Sequence, residues 1–394
     1  MNKQHASPPA PNTTIGRYHY MDNLRAYALI LGVFFHASMA YMPMLENTYV
    51  LSDPDKSEFL QSLALFSHLF RMPLFMLVAG FFAHYLFVKR QAGGFLKNRS
   101  IRVLLPLLVF FPILIAAVIA IIYLATSSVT NKAPMLVFLM ENFAPGSNAE
   151  PPPMSSMHLW FLFNLMVFYA TAMIWIRFSP LNLSQWLCRL HSAQLLFVLL
   201  VVVPAIVALG YFTQPIPPLT PPDKFYPQWW SFANYGVFFL LGWVLFAQQS
   251  LFDKIQQHSM LFIATSIMLY SLVYYFYPDS VSIESIFKPD SQAVPTLQHL
   301  LMAGLQALIT TFMTYALLQL GKQYLSLENK LMRYFSDASY WIYLSHVPIV
   351  MLAQMYLVDS DLNVWLKFLI TALSAIIVCT LTYQLLVRHT VTIP

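Results

Sequence analysis

Residues 101–125 read IRVLLPLLVFFPILIAAVIAIIYLA, with Arg102 as their only charge. An α-helix rises about 1.5 Å per residue, so about 20 apolar residues cover the hydrocarbon core of a bilayer. This stretch is long enough to cross. Nine similar runs lie on either side of it, and together the ten are 24–44, 63–88, 101–125, 158–178, 193–211, 232–249, 259–277, 298–320, 339–357 and 364–387. Hydrophobic residues make up 58% of the 394 and charged residues 9%, against about 25% charged in a soluble domain. A soluble chain of this length lacks the polar cover for so much apolar surface. The expected fold is an all-α integral membrane protein of about ten transmembrane helices.

The basic residues orient it, because lysine and arginine collect on the cytoplasmic side. With a cytoplasmic N-terminus, fourteen basic residues from Lys3 to Arg388 fall inside. Only Lys56, Lys132, Lys224, Lys288 and Lys367 fall outside. The outer loops are acidic, with Glu46, Asp53, Asp55, Glu58, Asp279, Glu284, Asp290, Asp359 and Asp361. An even number of spans places both termini in the cytoplasm. The organisation is then a cytoplasmic segment 1–22, one transmembrane domain 23–388 and a cytoplasmic tail 389–394. Residues 1–19 are polar and Pro-rich, without the apolar core of a cleavable signal peptide. No inverted repeat of the transporter kind is visible. Pro151–Pro153 and the stretch Pro215 to Pro227 stiffen two outer loops, which either fold over an external opening or serve as linkers.

Dispersed basic residues give no nucleic-acid footprint. Cys188 and Cys379 stand apart in the sequence, outside any metal-ligand or redox spacing, and read as packing residues. No metal site is expected.

Ionisable side chains inside spans are costly and face protein or a water-filled path. Arg25 and Arg71 qualify, as do His36, His68, His84, His158 and His346. Arg25 and His36 are eleven residues apart, so they lie about 16 Å apart along a helix and about 20° apart around it. One face of the first span therefore carries a cytoplasmic-edge arginine and a mid-membrane histidine. A neutral imidazole there can accept a proton as a general base, or it can simply bond a neighbouring helix. Asp22 pairs with Arg25 or caps the helix. Arg99 and Arg102, one turn apart before the third span, either anchor the topology or grip a phosphate. His68 and Arg71 precede Pro73, which frees a backbone carbonyl and points to a polar cavity. His158 opens the fourth span beside Trp160, a residue at home at the interface. His346 and Pro348 break the ninth span. Ser345 beside His346 suggests a nucleophile, but no acid is placed to complete it.

These motifs carry a family resemblance. Asp22-Asn23-Leu24-Arg25 with His36 ten residues further on resembles the R-x10-H motif of the acyltransferase 3 family. Phe70-Arg71-Met72-Pro73-Leu74-Phe75 with Ala79-Gly80-Phe81 follows. Then come Arg99-x-x-Arg102, His158-Leu159-Trp160-Phe161-Leu162 and Tyr343-Leu344-Ser345-His346, in the family's order over nearly the whole chain. Within the family the chain looks most like the branch of periplasmic-glucan succinyltransferases. The attached hydrolase-like domain of some relatives is not seen.

The resemblance implies a membrane-bound O-acyltransferase of the bacterial inner membrane. It would move an acyl group from cytoplasmic acyl-coenzyme A to a hydroxyl of an extracytoplasmic carbohydrate. Acyl-coenzyme A would be a substrate, with no tightly bound cofactor, and the partners would be membrane lipid, the donor and the carbohydrate. His36 and Arg25 would be catalytic. Arg25, Arg99 and Arg102 would hold the donor's phosphates, and Arg71 or His346 would steady the oxyanion. Asp22, His158 and Trp160 are further candidates. Direct transfer and an acyl-enzyme route are both compatible with these residues. A polytopic transporter with a polar midplane site accounts for buried Arg and His and proline-broken helices as well. A scaffold whose charges fix helix register is a third reading.

Overall fold

The computed structural model describes residues 18–143, 155–178, 183–214, 221–284 and 296–388, and all regular structure among them is helical. The N-terminal segment up to residue 17, the tail beyond 388, Pro151–Pro153 and residues 215–220 of the second proline-rich loop lie outside the described residues. In chain order the helices are α1 (His19–Ser38), α2 (Glu58–Arg99), α3 (Leu105–Ser128), α4 (Pro134–Asn142), α5 (Trp160–Phe178) and α6 (Leu183–Cys188). They continue as α7 (Ser192–Phe197), α8 (Val203–Phe212), α9 (Trp229–Ser231), α10 (Val237–Ala247) and α11 (Ser259–Tyr275). The last three are α12 (Leu297–Tyr324), α13 (Lys330–Leu357) and α14 (Val364–Thr382).

Among the described residues seven stretches are long and apolar enough to cross a membrane, and this is a multi-pass membrane protein. One of them is the 71-residue run Glu58–Ser128. Gln91 breaks it with φ 56° and ψ 176°, so it holds two arms, and a π-turn at Ser100–Leu104 leads into α3. Two more helices fall on expected spans without meeting that standard. α11 is short at 17 residues. α13 has 28 residues but is amphipathic, with Arg333, Asp337, His346 and Gln354 along it.

Contacts at the two ends fix the alternation of the helices. At one end Asn23 donates to the Leu325 carbonyl at 2.8 Å, Lys322 pairs with Asp253 at 2.9 Å, and Gln319 donates to the Phe252 carbonyl at 3.0 Å. This end gathers the start of α1, the approach to α11 and the end of α12. At the other end the Val281 amide donates to the Met44 carbonyl at 3.0 Å, and Ser57 to that of Tyr41 at 2.9 Å. There the Asp359 carboxylate accepts from the Thr130 amide at 2.7 Å and the Asn131 amide at 2.9 Å. This end gathers the ends of α1, α3, α11 and α13 and the start of α2.

α2 and α10 touch backbone to backbone. A Cβ on Gly80 would meet the Phe239 carbonyl oxygen at 1.9 Å, and one on Gly242 would meet that of Leu77 at 1.8 Å. Small residues of this kind let membrane helices approach closely.

Neither proline breaks its helix. Pro73 lies within α2 and Pro348 within a continuous α13, so the expected break of the ninth span is corrected. Proline removes the hydrogen bond to the carbonyl four residues earlier, and neighbouring helices supply the replacement. Thr310 Oγ1 of α12 donates to the Leu69 carbonyl that Pro73 frees, at 3.1 Å. Around Leu344, which Pro348 frees, the ring of His158 enters.

Candidate active site

A cavity of about 300 Å³ lies between α1, α2, α5 and α13, lined by His36, His68, Arg71, His158, Trp160 and His346 among others. Among the described residues no aspartate or glutamate lines it. Leu45, Thr48 and Tyr49 of the connection after α1 form part of its wall.

Three imidazoles meet here. The ring centres of His36 and His346 are 5.2 Å apart, those of His158 and His346 5.1 Å, and those of His36 and His158 6.2 Å. His346 Nδ1 lies 3.0 Å from the Ile342 carbonyl oxygen and 2.9 Å from that of Tyr343. Carbonyls only accept, so Nδ1 carries the N–H and Nε2 is a lone pair. His158 donates from Nε2 to the Tyr343 carbonyl at 3.1 Å, which leaves its Nδ1 bare. Both bare nitrogens are enclosed and have no hydrogen-bond partner among the described residues. Tyr343 also donates its hydroxyl to the His158 carbonyl, so one residue of α13 seats two histidines.

His158 is held from behind as well. It follows Met157, whose φ of 51° is in the left-handed region. That turn is tied to Asp223 by Ser156, whose amide and Oγ donate to the Asp223 carbonyl at 2.9 Å and 2.8 Å.

Arg71 is buried at 5% exposure. Its guanidinium lies 4.5 Å from the centre of the Phe35 ring and donates to the Leu31 carbonyl at 3.4 Å. Nε has no partner, and no carboxylate lies within ion-pair distance among the described residues. His68 stacks on the same Phe35 ring at 4.8 Å.

The remaining arginines sit at the end of the bundle where α1 begins. Arg25 pairs with Asp22 at 3.3 Å and donates to Ser336 Oγ at 2.8 Å, so the pairing role expected for Asp22 is present. Asp22 does not cap α1; Tyr18 stands at that position. Arg99 turns inward, donating to the Tyr169 hydroxyl at 3.4 Å, whereas Arg102 one turn later is exposed. Arg99 and Arg90 are the cationic neighbours of Arg102. Ser336, Tyr340, Tyr343 and His346 recur every three or four residues and form one stripe of α13. The stripe runs from Arg25, past Arg99 beside Tyr340, to the cavity. Ser336 to His346 is ten residues, about 15 Å.

Other sequence candidates lie elsewhere. His84 stacks on Trp243 at 4.6 Å and bonds that residue's carbonyl at 2.6 Å, outside the cavity. Trp160 is no interface anchor: it is 7% exposed, lines the cavity and packs on Tyr235 at 5.1 Å. Ser345 Oγ engages the Trp341 carbonyl at 2.8 Å and Cys379 Sγ at 3.3 Å, which takes it out of a nucleophile role. Cys379 is buried, as a packing residue should be. Among the described residues no group of His, Cys, Asp and Glu is arranged to hold a metal ion.

The connection after α1 is locked at the opposite end of the bundle. Lys367 belongs to α14 and is no loop charge. Its Nζ lies 3.0 Å from both Asp53 oxygens and 3.4 Å from Asp55, and both Lys367 and Asp53 are 2% exposed. Tyr49, in the same connection, donates to Gln354 at 2.7 Å, and Gln354 donates to the His36 and Ala37 carbonyls at 3.2 Å and 3.1 Å. Gln354 and Tyr340 have no place in the sequence reading, which looks for Arg and His inside spans, and Tyr343 enters it only within the Tyr343-Leu344-Ser345-His346 motif. Gln354 shares the α13 stripe with His346 at a spacing of eight residues, a visible but weak signal.

A family model described as an acyltransferase domain matches residues 18–384. Glucans biosynthesis protein C of Escherichia coli strain K12 is 24% identical over 405 aligned residues, covering 94% of this chain and 92% of the relative. The protein of the same name from Shigella dysenteriae serotype 1 gives the same identity and coverage. No solved structure matches.

Proposed function

The chain belongs to the acyltransferase family whose model it matches, and from that premise we propose that it esterifies an extracytoplasmic glucan from cytoplasmic acyl-coenzyme A. The family makes it an enzyme, a membrane acyltransferase, and that decides against the transporter and scaffold readings. The finer statements are our own. The chain crosses the bacterial inner membrane ten times with both termini in the cytoplasm, as the charge distribution of its loops favours. Arg25 and Arg99, with Arg102 at the rim, receive the phosphates of the donor. The acyl arm follows the α13 stripe to the cavity. The glucan hydroxyl arrives from the opposite end, as the relatives' name suggests for the acceptor.

His36 takes the proton from that hydroxyl, the oxygen attacks the thioester carbonyl, and the proton goes on to the departing thiolate. Arg71 is the guanidinium in the cavity wall. A buried arginine without an acidic partner favours a ligand that brings an anion. The free carboxylate of a succinyl group does so, and the oxyanion of the tetrahedral intermediate can share the same cation.

The observation that carries this reading is the pairing of an imidazole-lined cavity, without a carboxylate among the described residues, with an arginine-bearing entrance along one helix face. The test uses purified protein in detergent with succinyl- or acetyl-coenzyme A and a glucan. Acceptor-dependent thiol release and an ester on the glucan are expected. Succinyl should be preferred by at least about tenfold, the scale of one charged hydrogen bond. Thiol release that ignores the acceptor, or none at all, contradicts the reading.

A further inference from the structure

A histidine that acts as a base becomes an imidazolium with two N–H groups, and the second one needs an acceptor. In the serine-hydrolase triad a buried aspartate fills that place and fixes the tautomer of the histidine. Among the described residues no carboxylate lines this cavity. His36 shares the cavity with Arg71, His68, His158 and His346, and the backbone has made the last two imidazoles acceptors toward the interior. His346 is locked at Nδ1 by the Ile342 and Tyr343 carbonyls, and His158 at Nε2 by that of Tyr343. Their remaining nitrogens are enclosed, bare and without a protein partner among the described residues.

His346 is the nearer of the two to His36, at 5.2 Å between ring centres against 6.2 Å for His158. The helix that carries it also grips the backbone of His36, because Gln354 donates to the His36 carbonyl at 3.2 Å. α13 therefore meets His36 twice, at its carbonyl and at its ring.

We infer that His346 Nε2 is the acceptor for His36, a neutral imidazole standing where a triad would place a carboxylate. It receives one His36 N–H and so leaves the other ring nitrogen of His36 bare toward the substrate. A small ring rotation closes the bond, in keeping with catalytic hydrogen bonds that tighten only once substrate is bound. This rests on the acyl-transfer reading with His36 as base. In the step, the acceptor O–H bond breaks and its proton goes to His36. The ester C–O bond forms, the thioester C–S bond breaks, and His36 returns the proton to the sulfur. His346 holds the second N–H throughout and ends unchanged, as a positioning residue.

The test compares His346→Asn with His346→Gln in purified enzyme. Asn reaches the Ile342 and Tyr343 carbonyls but leaves the Nε2 position empty; the longer Gln can place its carbonyl oxygen there. Asn should lower kcat by about 10²-fold or more with the donor KM unchanged, since a general base is worth 10²–10⁴-fold. Gln should recover about tenfold of that loss, the value of one interaction near 1.4 kcal/mol. In a His36→Gln background Asn should cost no more than about twofold, because residues that act as a unit are not additive.

A measurement on the wild type guards against variants that fail to fold. Nitrogen-15 NMR of histidine-labelled protein should show His346 protonated at Nδ1. The inference is overturned by an Nε2-protonated His346, by equal rates for Asn, Gln and wild type, by equal losses for Asn and Gln, or by an Asn loss that persists without His36. If wild-type protein forms no ester from any acyl-coenzyme A, the acyl-transfer reading itself fails and this inference goes with it. An active wild type with indifferent His346 variants removes the inference alone.

Discussion

The histidine cavity and the Asp53–Lys367 lock are both buried and polar, and they treat their polar groups in opposite ways. In the lock, Lys367 contacts both oxygens of Asp53 and one of Asp55. In the cavity, Arg71 Nε, His158 Nδ1 and His346 Nε2 are enclosed with no partner among the described residues. Burial without a partner costs stability, so a fold keeps such groups where a ligand completes them. The lock holds the connection that walls the cavity, and in the proposed function the cavity holds the chemistry. Damage to the two should therefore read out differently, in stability for the lock and in rate for the cavity.

The largest expected effect is in the cavity. His36→Gln keeps much of the shape and cannot act as a base near neutral pH. It should lose acyl transfer by about 10²–10⁴-fold while folding, inserting and binding acyl-coenzyme A normally. Thermal stability and ester formation measured on the same preparation check this. A variant that loses both together would place His36 with the lock, as a structural residue.

Lys367→Met should do the reverse. It leaves Asp53 buried beside an apolar chain, and removing one partner of a buried pair costs about 3–5 kcal/mol. Thermal unfolding should shift strongly downward, while the rate per folded molecule stays near wild type. A lost rate at unchanged stability would mean that the lock belongs to the catalytic machinery.

How far the sequence foretold this difference depends on the residue. The ten apolar runs each coincide with a helical stretch, because apolar length is a one-dimensional property. His36, Arg71, His158 and His346 are legible in the sequence because a charge or imidazole in a span stands out against its neighbours. Their convergence was not visible, since it depends on how α1, α2, α5 and α13 cross. The lock is illegible for the same reason: Lys367 reads as one more outer-side charge, and only the packing of α14 against the α1–α2 connection buries it. Trp160 misled because interface and cavity wall both suit an amphipathic ring. Pro73 frees the Leu69 carbonyl as expected, whereas Pro348 leaves α13 unbroken because His158, from a distant part of the chain, enters beside the carbonyl it frees.

The entrance gives a smaller effect that refines the comparison. Arg99→Ala should weaken coenzyme A binding by roughly 1.5–3 kcal/mol, the scale of a hydrogen bond to a charged group, with Lys recovering part of it. Arg102→Ala should cost less, because Arg102 is exposed and solvent screens its charge. Isothermal titration with coenzyme A separates them. Equal losses would show that the donor engages the outer arginine as fully as the inner one.

The smallest effect concerns pH and the lock's neighbour Lys56, which donates to the Ala40 carbonyl at 3.2 Å. Burial pushes its ammonium down from 10.5 to about 8, against the pull of Glu46 and Asp53. Between those values the unfolded chain binds the proton that the folded chain has released, so stability rises with pH across that window. Lys56→Met should flatten the rise in unfolding temperature between pH 8 and pH 10.5. An unchanged slope would show that Lys56 stays charged in the fold.

In the proposed function one cavity joins a donor from the arginine end to an acceptor from the lock end. Proteoliposomes with the enzyme in one orientation test it, with succinyl-coenzyme A on the arginine side and glucan on the other. Glucan ester should appear on the side opposite the donor, and none when His36→Gln replaces the wild type. Ester that forms only when donor and glucan share one side would contradict it.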